Sequence, residues 1–249
     1  QISPHQQGYT HSDGTTGNAQ GGAKGSGGPA ASPDPKRMDT LTDQALHLMQ
    51  RNHTQKSPFF LQISHYAVHL DIYYRKETLA QIHKRPLGTK HPTPTFAAMT
   101  EDLDTSIGRI IDLMDALNLW NNPYLILMSD NGGRNTLPGA PPQAIPRNHP
   151  LRDGKHSFYE GGIRVPFIVA GPQIKANSVS HVPITGLDIL PTLADLAGYP
   201  LPLPKTLDGG SLCSLLKAEG LGQVTRNRPY LVFHQAVDRR PISAIRWGA

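Results

Sequence analysis

Short apolar segments alternate with one long amphipathic segment between Phe59 and Met128, and this order constrains the fold more than any other feature of the chain. Residues 59–64 predict a short buried strand, and residues 124–128 predict a strand covered on both faces, as in parallel sheets. Between them, apolar residues recur at helical spacing over 96–117. Strand, helix and strand form a βαβ unit, so we expect an α/β fold with a largely parallel sheet.

Further elements are predicted on either side of this unit: a helix over 38–49 with Asp39 or Thr40 as N-cap, a strand over 165–170, a helix over 188–198 that Asp188 caps and Gly198 ends, and a strand over 230–234. Residues 1–35 are rich in glycine, serine, proline and asparagine, so they bury too little apolar surface to offset the entropy of ordering. We therefore expect 1–35 to be a flexible lead-in or surface loop and 36–249 to be the folded part.

The composition narrows the classes of function. Lys and Arg number 24 against 19 Asp and Glu, a formal net charge of +5 that suits an anionic partner. The basic residues are scattered and match no nucleic-acid-binding motif, which favours a small anionic substrate over nucleic acid. The sequence contains no run of about 20 apolar residues, the length that a membrane-spanning helix needs. The single cysteine, Cys213, excludes an internal disulfide and is expected to be a buried structural thiol.

The segment Ser129–Gly133 directly follows a predicted strand and is a candidate metal site. The Asp130 carboxylate and the Asn131 side-chain carbonyl are hard oxygen ligands, which suit Ca²⁺ or Mg²⁺ rather than Zn²⁺. The glycines after them would let the backbone turn sharply next to an ion. Alternatively, Asn131-Gly132 forms a type I′ hairpin turn, although no alternating partner strand follows at once.

Two other segments offer groups for an anionic substrate. His65 and His69 follow the first predicted strand, where an imidazole can donate to an anionic oxygen or protonate a leaving group. Lys155 lies in a polar, glycine-rich loop and can hold an oxyanion by its charge, and Glu160 could pair with Arg164 in the same segment. The alternative is that the histidines are structural and that Lys155 is a solvated loop lysine.

In their order and spacing, six motifs resemble the type I (arylsulfatase-like) sulfatases over about residues 36–235. They are the segment from Phe59 to His69, Asp102–Arg109, Ser129–Gly132, Gly154-Lys155 with Glu160–Pro166, Asp188–Thr192 and Leu207–Gly209. Each motif alone is weak or moderate evidence for the family, whereas the six motifs in series are highly specific for it. The resemblance implies an alkaline-phosphatase-like α/β fold with helices on both faces of the sheet, and the hydrolysis of sulfate esters to an alcohol and sulfate.

The same resemblance implies roles for individual residues. Asp130 and Asn131 match two Ca²⁺ ligands of the family, and His69 and Lys155 match the His and Lys that contact the sulfate and its bridging oxygen. Four more residues match positions that support the site structurally: Glu160, Arg164, Asp188 and Thr192. The implied partner is a sulfated small molecule or a sulfated polysaccharide.

The chain departs from the family on its N-terminal side. The family's nucleophile is a formylglycine made from Cys or Ser in a Cys/Ser-x-Pro/Ala-x-Arg motif, and neither Cys213 nor Ser32 lies in such a motif. The Asp-Asp pair that supplies the other Ca²⁺ ligands is absent as well. We therefore expect 36–249 to be the C-terminal part of a sulfatase catalytic domain, inactive alone. Its parent would need a formylglycine-generating enzyme and would be periplasmic or secreted, although the chain itself contains no signal region.

Two other functions remain open from the sequence. Phosphatases and phosphonate hydrolases of the same superfamily use related metal sites, and a non-catalytic relative would bind sulfated glycans without a nucleophile. The sequence also leaves open which sulfate ester is cleaved and whether His69 or Lys155 protonates the leaving group.

Overall fold

The computed structural model describes residues 3–14, 29–88, 90–137, 146–236 and 241–248. The chain divides into two compact units, of which unit 1 comprises Gln1–Leu119 and Thr136–Arg147. Unit 2 comprises Trp120–Asn135 and Asn148–Ala249. The centre of the predicted lead-in, residues 15–28, lies outside the described residues.

Unit 1 is mainly helical. In chain order it contains β1 (Ala30–Ala31), α1 (Met38–Gln55), β2 (Tyr73–Tyr74), α2 (Lys76–Ile82) and α3 (Pro94–Ala116). The amphipathic helix predicted over 96–117 is confirmed as α3, which packs against α1 and α2. A cluster of Ile72, Met99 and Leu137 forms part of its core. The buried stripe of α3 therefore anchors the unit, as its periodicity predicts.

The start of α1 differs from the prediction. The carboxylate of Asp34 accepts hydrogen bonds from the backbone N–H groups of Asp39 at 2.8 Å and Thr40 at 3.2 Å. Residues 35–37 form a 3₁₀ turn between Asp34 and the helix, which places this carboxylate over the first helical turn. Asp34 therefore satisfies the free N–H groups of the helix terminus, and Asp39 or Thr40 as N-cap was wrong.

The strand predicted over 59–64 is not formed. These residues have no ladder partner among the described residues, and Phe59 and Phe60 are 40 % and 58 % exposed. The βαβ unit built on this strand was therefore wrong as well. The parallel pair of unit 1 joins β1 to β2 instead, with Ala30 opposite Tyr73 and Ala31 opposite Tyr74.

Unit 2 contains β3 (Leu125–Met128), α4 (Glu160–Ile163), β4 (Phe167–Ala170), α5 (Ile189–Leu196), α6 (Cys213–Lys217), β5 (Tyr230–Gln235) and β6 (Ile242–Trp247). The strands predicted over 124–128, 165–170 and 230–234 are confirmed as β3, β4 and β5, with shifted ends. β3 and β4 pair antiparallel, with Met128 opposite Phe167, where a parallel partner was expected. In an antiparallel pair the end of one strand meets the start of the other, so the residues after β3 lie beside those before β4.

The helix predicted over 188–198 is confirmed as α5, with Asp188 at the N-cap position, but the Asp188 side chain makes no capping hydrogen bond to the helix. Gly198 follows it in the left-handed region, with φ of 64°, as expected for a glycine that ends a helix. Cys213, the first residue of α6, is half-buried, and its thiol lies 4.0 Å from the carbonyl oxygen of Thr192. In the part of the chain that the structure describes, no helix combines the length and the apolar content needed to cross a membrane.

Candidate active site

Two loops of unit 2 are joined by backbone hydrogen bonds. The first loop, Ser129–Gly133, follows β3, and the second, Arg152–Gly162, precedes β4 and includes the start of α4. Gly132 donates its N–H to the carbonyl oxygen of Gly162 at 2.9 Å, and Lys155 donates its N–H to that of Gly133 at 2.9 Å. The segment with the predicted metal ligands therefore lies against the segment with the predicted oxyanion-binding lysine.

Glycine is required here because the two backbones approach so closely. A Cβ atom on Gly132 would overlap the carbonyl oxygen of Gly161, and one on Gly154 would overlap that of Gly133. Neither Gly132 nor Gly133 has a positive φ. Their lack of a side chain is therefore needed for the packing of the loops rather than for a left-handed backbone, and their role in a turn beside an ion stays a prediction.

The alternative interpretation of Asn131-Gly132 as a hairpin turn is excluded. β3 pairs with β4, and the residues that directly follow Gly132 form no strand. The Ser129 hydroxyl instead donates to the carbonyl oxygen of Asn131 at 2.9 Å, which fixes the loop locally. The segment is a polar loop at the end of a strand.

The donor atoms of this loop fit a hard cation. The side-chain amide nitrogen of Asn131 donates to the carbonyl oxygen of Gly132 at 3.2 Å, which leaves its side-chain oxygen for another partner. Asp130 is exposed, and among the described residues no group donates to its carboxylate or forms an ion pair with it. A carboxylate and an amide oxygen are ligands that Ca²⁺ accepts, but it takes 6–8 oxygens. Across the described residues, no three His, Cys, Asp or Glu side chains cluster as a complete metal site.

Lys155 carries a charge that nothing in the described part of the chain neutralises. Its side chain is half-buried, and no described carboxylate lies within ion-pair distance of its ammonium group. Exposed lysines of the same unit can be paired, as Lys175 is with Glu219 at 2.6 Å. An unpaired, half-buried ammonium group on a loop that contacts the predicted metal-ligand segment is suited to holding an anionic oxygen.

Two asparagines and one aspartate that the sequence interpretation missed hold these loops together. The side-chain amide of Asn148 donates to the carbonyl oxygens of Gly133 and Asp153, both at 2.9 Å. Asn135 donates to a carboxylate oxygen of Asp153 at 2.5 Å, and Gly154 donates its N–H to the same oxygen at 2.8 Å. These bonds, that from Asn135 first, lower the pKa of Asp153. Their only sequence signal is an Asn- and Asp-rich loop composition.

His69 and His65 belong to unit 1. The Nδ1 atom of His69 lies 2.8 Å from the carbonyl oxygen of Leu70, and because a carbonyl can only accept, Nδ1 carries the proton and Nε2 is left for another partner. Burial lowers the pKa of His65, and its Nδ1 has no hydrogen-bond partner among the described residues. A half-buried imidazole whose charged form is disfavoured by desolvation fits the structural role that was the alternative for His65.

The structure thus places three of the four predicted site residues on contacting loops of unit 2: Asp130, Asn131 and Lys155. His69 lies in unit 1. The convergence of His69 with the other three around one pocket stays a prediction.

The residues predicted as structural support have that role in unit 2. Asp188 is fully buried, accepts hydrogen bonds from the N–H groups of Thr185 and Gly210, and forms an ion pair with Arg226 at 2.6 Å. The hydroxyl of Thr192 donates to the carbonyl oxygen of Asp188 at 2.6 Å. A further pair, predicted between Glu160 and Arg164, is present at 3.6 Å.

Known proteins are similar in sequence to this chain over most of its length. The family profile described as Sulfatase matches residues 4–199. A sulfatase of Formosa agariphila is 34 % identical over 214 residues, which are 80 % of this chain and 37 % of that protein. Human steryl-sulfatase is 31 % identical over 209 residues, which are 83 % of this chain and 33 % of that protein. The chain thus spans about a third of the length of these relatives.

Solved structures share the fold. The crystal structure of Ps i-CgsB in complex with k-i-k-neocarrahexaose matches 84 % of this chain and 44 % of its own, with a TM-score of 0.70 and 25 % identity. A structure from work on glycosaminoglycan metabolism by Bacteroides thetaiotaomicron matches with a TM-score of 0.64 and 25 % identity, over 85 % of this chain and 41 % of its own. These sulfatases have the alkaline-phosphatase-like α/β fold that was expected. With the profile covering most of its residues, the chain belongs to the sulfatase family.

Proposed function

We propose that the chain is part of a catalytic domain that hydrolyses sulfate esters to an alcohol and sulfate. The observation that carries this proposal is the contact between the loops, in which Gly132 bonds to Gly162 and Lys155 bonds to Gly133. Asp130 and Asn131, which offer two hard oxygen ligands, and Lys155, whose ammonium group is unpaired among the described residues, thus lie on two contacting loops of unit 2. Membership of the sulfatase family supports the assignment of this polar segment to a sulfate ester.

Lys155 binds a non-bridging oxygen of the sulfate group in this proposal. Its ammonium group needs no release from a carboxylate before it does so, because no described carboxylate pairs with it. Asp130 and Asn131 would hold Ca²⁺, which when bound supplies positive charge at the sulfate oxygens. Fixed charges that face the developing negative charge are usually the largest contribution to such catalysis.

His69 protonates the leaving alcohol in this proposal. Its Nδ1–H is engaged by the carbonyl oxygen of Leu70, which fixes the ring and directs Nε2 to a different partner. In the protonated imidazole, Nε2–H can donate to the bridging oxygen and pass its proton to the alcohol as the ester bond breaks. Lys155 then acts by charge alone.

Sulfated glycans are the proposed substrate class. The structural relatives include a complex with neocarrahexaose and a protein from glycosaminoglycan metabolism, and the relatives by sequence include N-acetylgalactosamine-6-sulfatases. The net charge of +5 suits an anionic polysaccharide. Steryl-sulfatase is a relative of similar identity, so a sulfated small molecule is the second candidate.

The nucleophile is proposed to lie outside this sequence. No Cys or Ser of the chain stands in a formylglycine motif, and the chain spans about a third of its relatives. The full-length protein would then depend on a formylglycine-generating enzyme and act in the periplasm or outside the cell. The loss of a nucleophile removes nearly all catalysis, so the 249-residue chain alone should not turn over substrate.

Turnover of matched aryl esters tests the proposal. The full-length protein should hydrolyse an aryl sulfate much faster than the corresponding aryl phosphate, and the 249-residue chain should hydrolyse neither. A preference for the phosphate would assign the site to phosphoryl chemistry. A full-length protein that binds sulfated glycan without turnover would assign it to the non-catalytic class.

A further inference from the structure

Glu160, the first residue of α4, forms its closest ion pair with Arg246 on β6. The distance from Glu160 Oε1 to Arg246 Nη1 is 2.7 Å, whereas its other carboxylate oxygen lies 3.6 Å from Arg164. The side chains of Glu160 and Arg246 are 38 % and 40 % exposed, against 67 % for Arg164. The pair with Arg246 is therefore the better shielded of the two from solvent and salt.

A second contact joins the same two parts of unit 2. The rings of Phe158 and Phe233 lie 6.1 Å apart between centroids. In the register of the hairpin, Arg246 is opposite Leu231 and Phe233 is two residues further along, so Phe233 and Arg246 project from the same face. One face of the β5–β6 hairpin thus contacts the segment 158–160 through an aromatic ring and through a charge.

The segment that the hairpin contacts belongs to the second site loop, and the two glycines that follow it bond to both loops. Gly161 donates its N–H to the carbonyl oxygen of Arg152 at 2.8 Å, and Gly162 accepts from the N–H of Gly132 at 2.9 Å. These glycines follow Glu160 within the single turn of α4. A displacement of Glu160 is therefore transmitted to the loop of Asp130 and to the loop of Lys155.

We propose that Arg246 is a positioning residue of the sulfatase site, which acts through Glu160 on the two loops. The inference rests on the proposed function, because those loops are the ones that would hold the cation and the sulfate. Arg246 contacts Glu160 and forms no described hydrogen bond or ion pair with Asp130 or Lys155. A misplacement of about 1 Å in an active site can cost about 100-fold in rate, so the loss of this ion pair should lower kcat about 10- to 100-fold.

Hydrogen exchange tests whether Arg246 holds the two loops in place, and it does not require an active enzyme. Arg246→Met removes the charge and keeps most of the aliphatic stem. In the 249-residue chain it should raise the exchange rates of the Gly132 and Lys155 amides about 10-fold and leave those of α3 in unit 1 unchanged. Arg228→Met is the matched control, because its pair with Asp208 is exposed and 4.0 Å long.

Kinetics of the full-length protein test whether the position of these loops affects turnover. Arg246→Met should lower kcat for an aryl sulfate with little change in KM, since a misplaced loop weakens contacts made in the transition state. Arg246→Lys should recover part of kcat, because it restores the positive charge but not the guanidinium geometry of the Nη1 contact. Glu160→Gln in the Arg246→Met background should add little, since the pair is already broken.

The outcomes separate this inference from the proposed function. Unchanged exchange at Gly132 and Lys155 would overturn the inference whatever the activity. Faster exchange with wild-type kcat would also overturn it and would leave the sulfatase assignment intact. A wild-type full-length protein that hydrolyses no sulfate ester would refute the proposed function and, with it, this role for Arg246.

Discussion

The backbone N–H of Lys155 donates to the carbonyl oxygen of Gly133 at 2.9 Å. This bond joins the loop that follows β3 to the loop that precedes β4. The antiparallel pairing of β3 and β4 is the cause, because it brings the end of one strand beside the start of the other. The account of the site depends on this pairing.

Removal of the Asp130 carboxylate should abolish cation binding. Asp130→Ala deletes the one anionic ligand that its loop supplies, and Asp104→Ala on α3 deletes an exposed carboxylate elsewhere as a control. We expect the full-length wild type and Asp104→Ala to retain Ca²⁺ through gel filtration, and Asp130→Ala to lose it. Metal content by mass spectrometry checks this. Full Ca²⁺ retention by Asp130→Ala would refute the metal assignment.

A side chain added at Gly162 should destabilise unit 2. A Cβ atom on Gly162 would overlap the carbonyl oxygen of Ser157, and both groups belong to backbone that the loop contacts hold in place. Gly162→Ala should cost about 1–3 kcal/mol, as overpacking usually does. The control is Gly108→Ala inside α3, where a Cβ meets nothing and should stabilise by about 0.5–1 kcal/mol. Urea unfolding of both variants measures the difference; equal stabilities would contradict the close packing of the loops.

Asp102 should be the most costly carboxylate to remove from unit 1. It is fully buried and accepts hydrogen bonds from the guanidinium group of Arg75 at 3.1 Å and from the hydroxyl of Thr78 at 2.5 Å. Asp102→Ala leaves the Thr78 hydroxyl and Nη1 of Arg75 without this acceptor, while Nη2 of Arg75 keeps its pair with Asp39 at 2.7 Å. The loss of this buried acceptor should cost about 3–5 kcal/mol. Asp43→Ala breaks the exposed pair with Arg109 and should cost less than about 1 kcal/mol. If urea unfolding gives similar losses for both variants, the buried network does not stabilise the unit.

The stability of unit 1 should rise with pH because of Lys36. Burial lowers the pKa of Lys36 from 10.5 to about 8, although Asp71 acts in the opposite direction. Between these values the unfolded chain holds a proton that the folded chain lacks, so the free energy of unfolding increases with pH by up to about 3 kcal/mol. Below pH 8 the buried charge keeps its full cost.

Lys36→Met isolates this effect. The difference in unfolding free energy between wild type and variant should change across pH 8 to 10.5 and stay constant below it. Chemical denaturation at a series of pH values gives the curve. A difference that does not vary with pH would show that Lys36 titrates normally in the folded chain.

The elements that were predicted correctly are those whose signal is local. The apolar stripe of α3 repeats over many turns, and the apolar runs of β3 and β4 are bounded by Pro and Gly. The contact between the segments around Asp130 and Lys155 agrees with their prediction as parts of one site, which rested on their residue types and their order along the chain.

The features that were missed depend on pairing between distant segments. Nothing in the two alanines of β1 predicts a strand, and nothing in residues 124–128 fixes an antiparallel partner. Arg246 lies 86 residues from Glu160, so no local pattern connects them. Asp34 was missed because a 3₁₀ turn separates it from the helix that it caps.

Variants of the full-length protein test the proposed function most directly, in which His69 and Lys155 both act on the sulfate ester. The measurement is kcat/KM for an aryl sulfate with His69→Ala, Lys155→Ala and the double variant. We expect each single variant to lose about 100- to 1000-fold, and the double variant to lose far less than the product of the two, since groups of one site act as a unit. Lys175→Ala, an exposed lysine of unit 2, should retain wild-type kcat/KM. A His69→Ala variant with wild-type kcat/KM would contradict the claim.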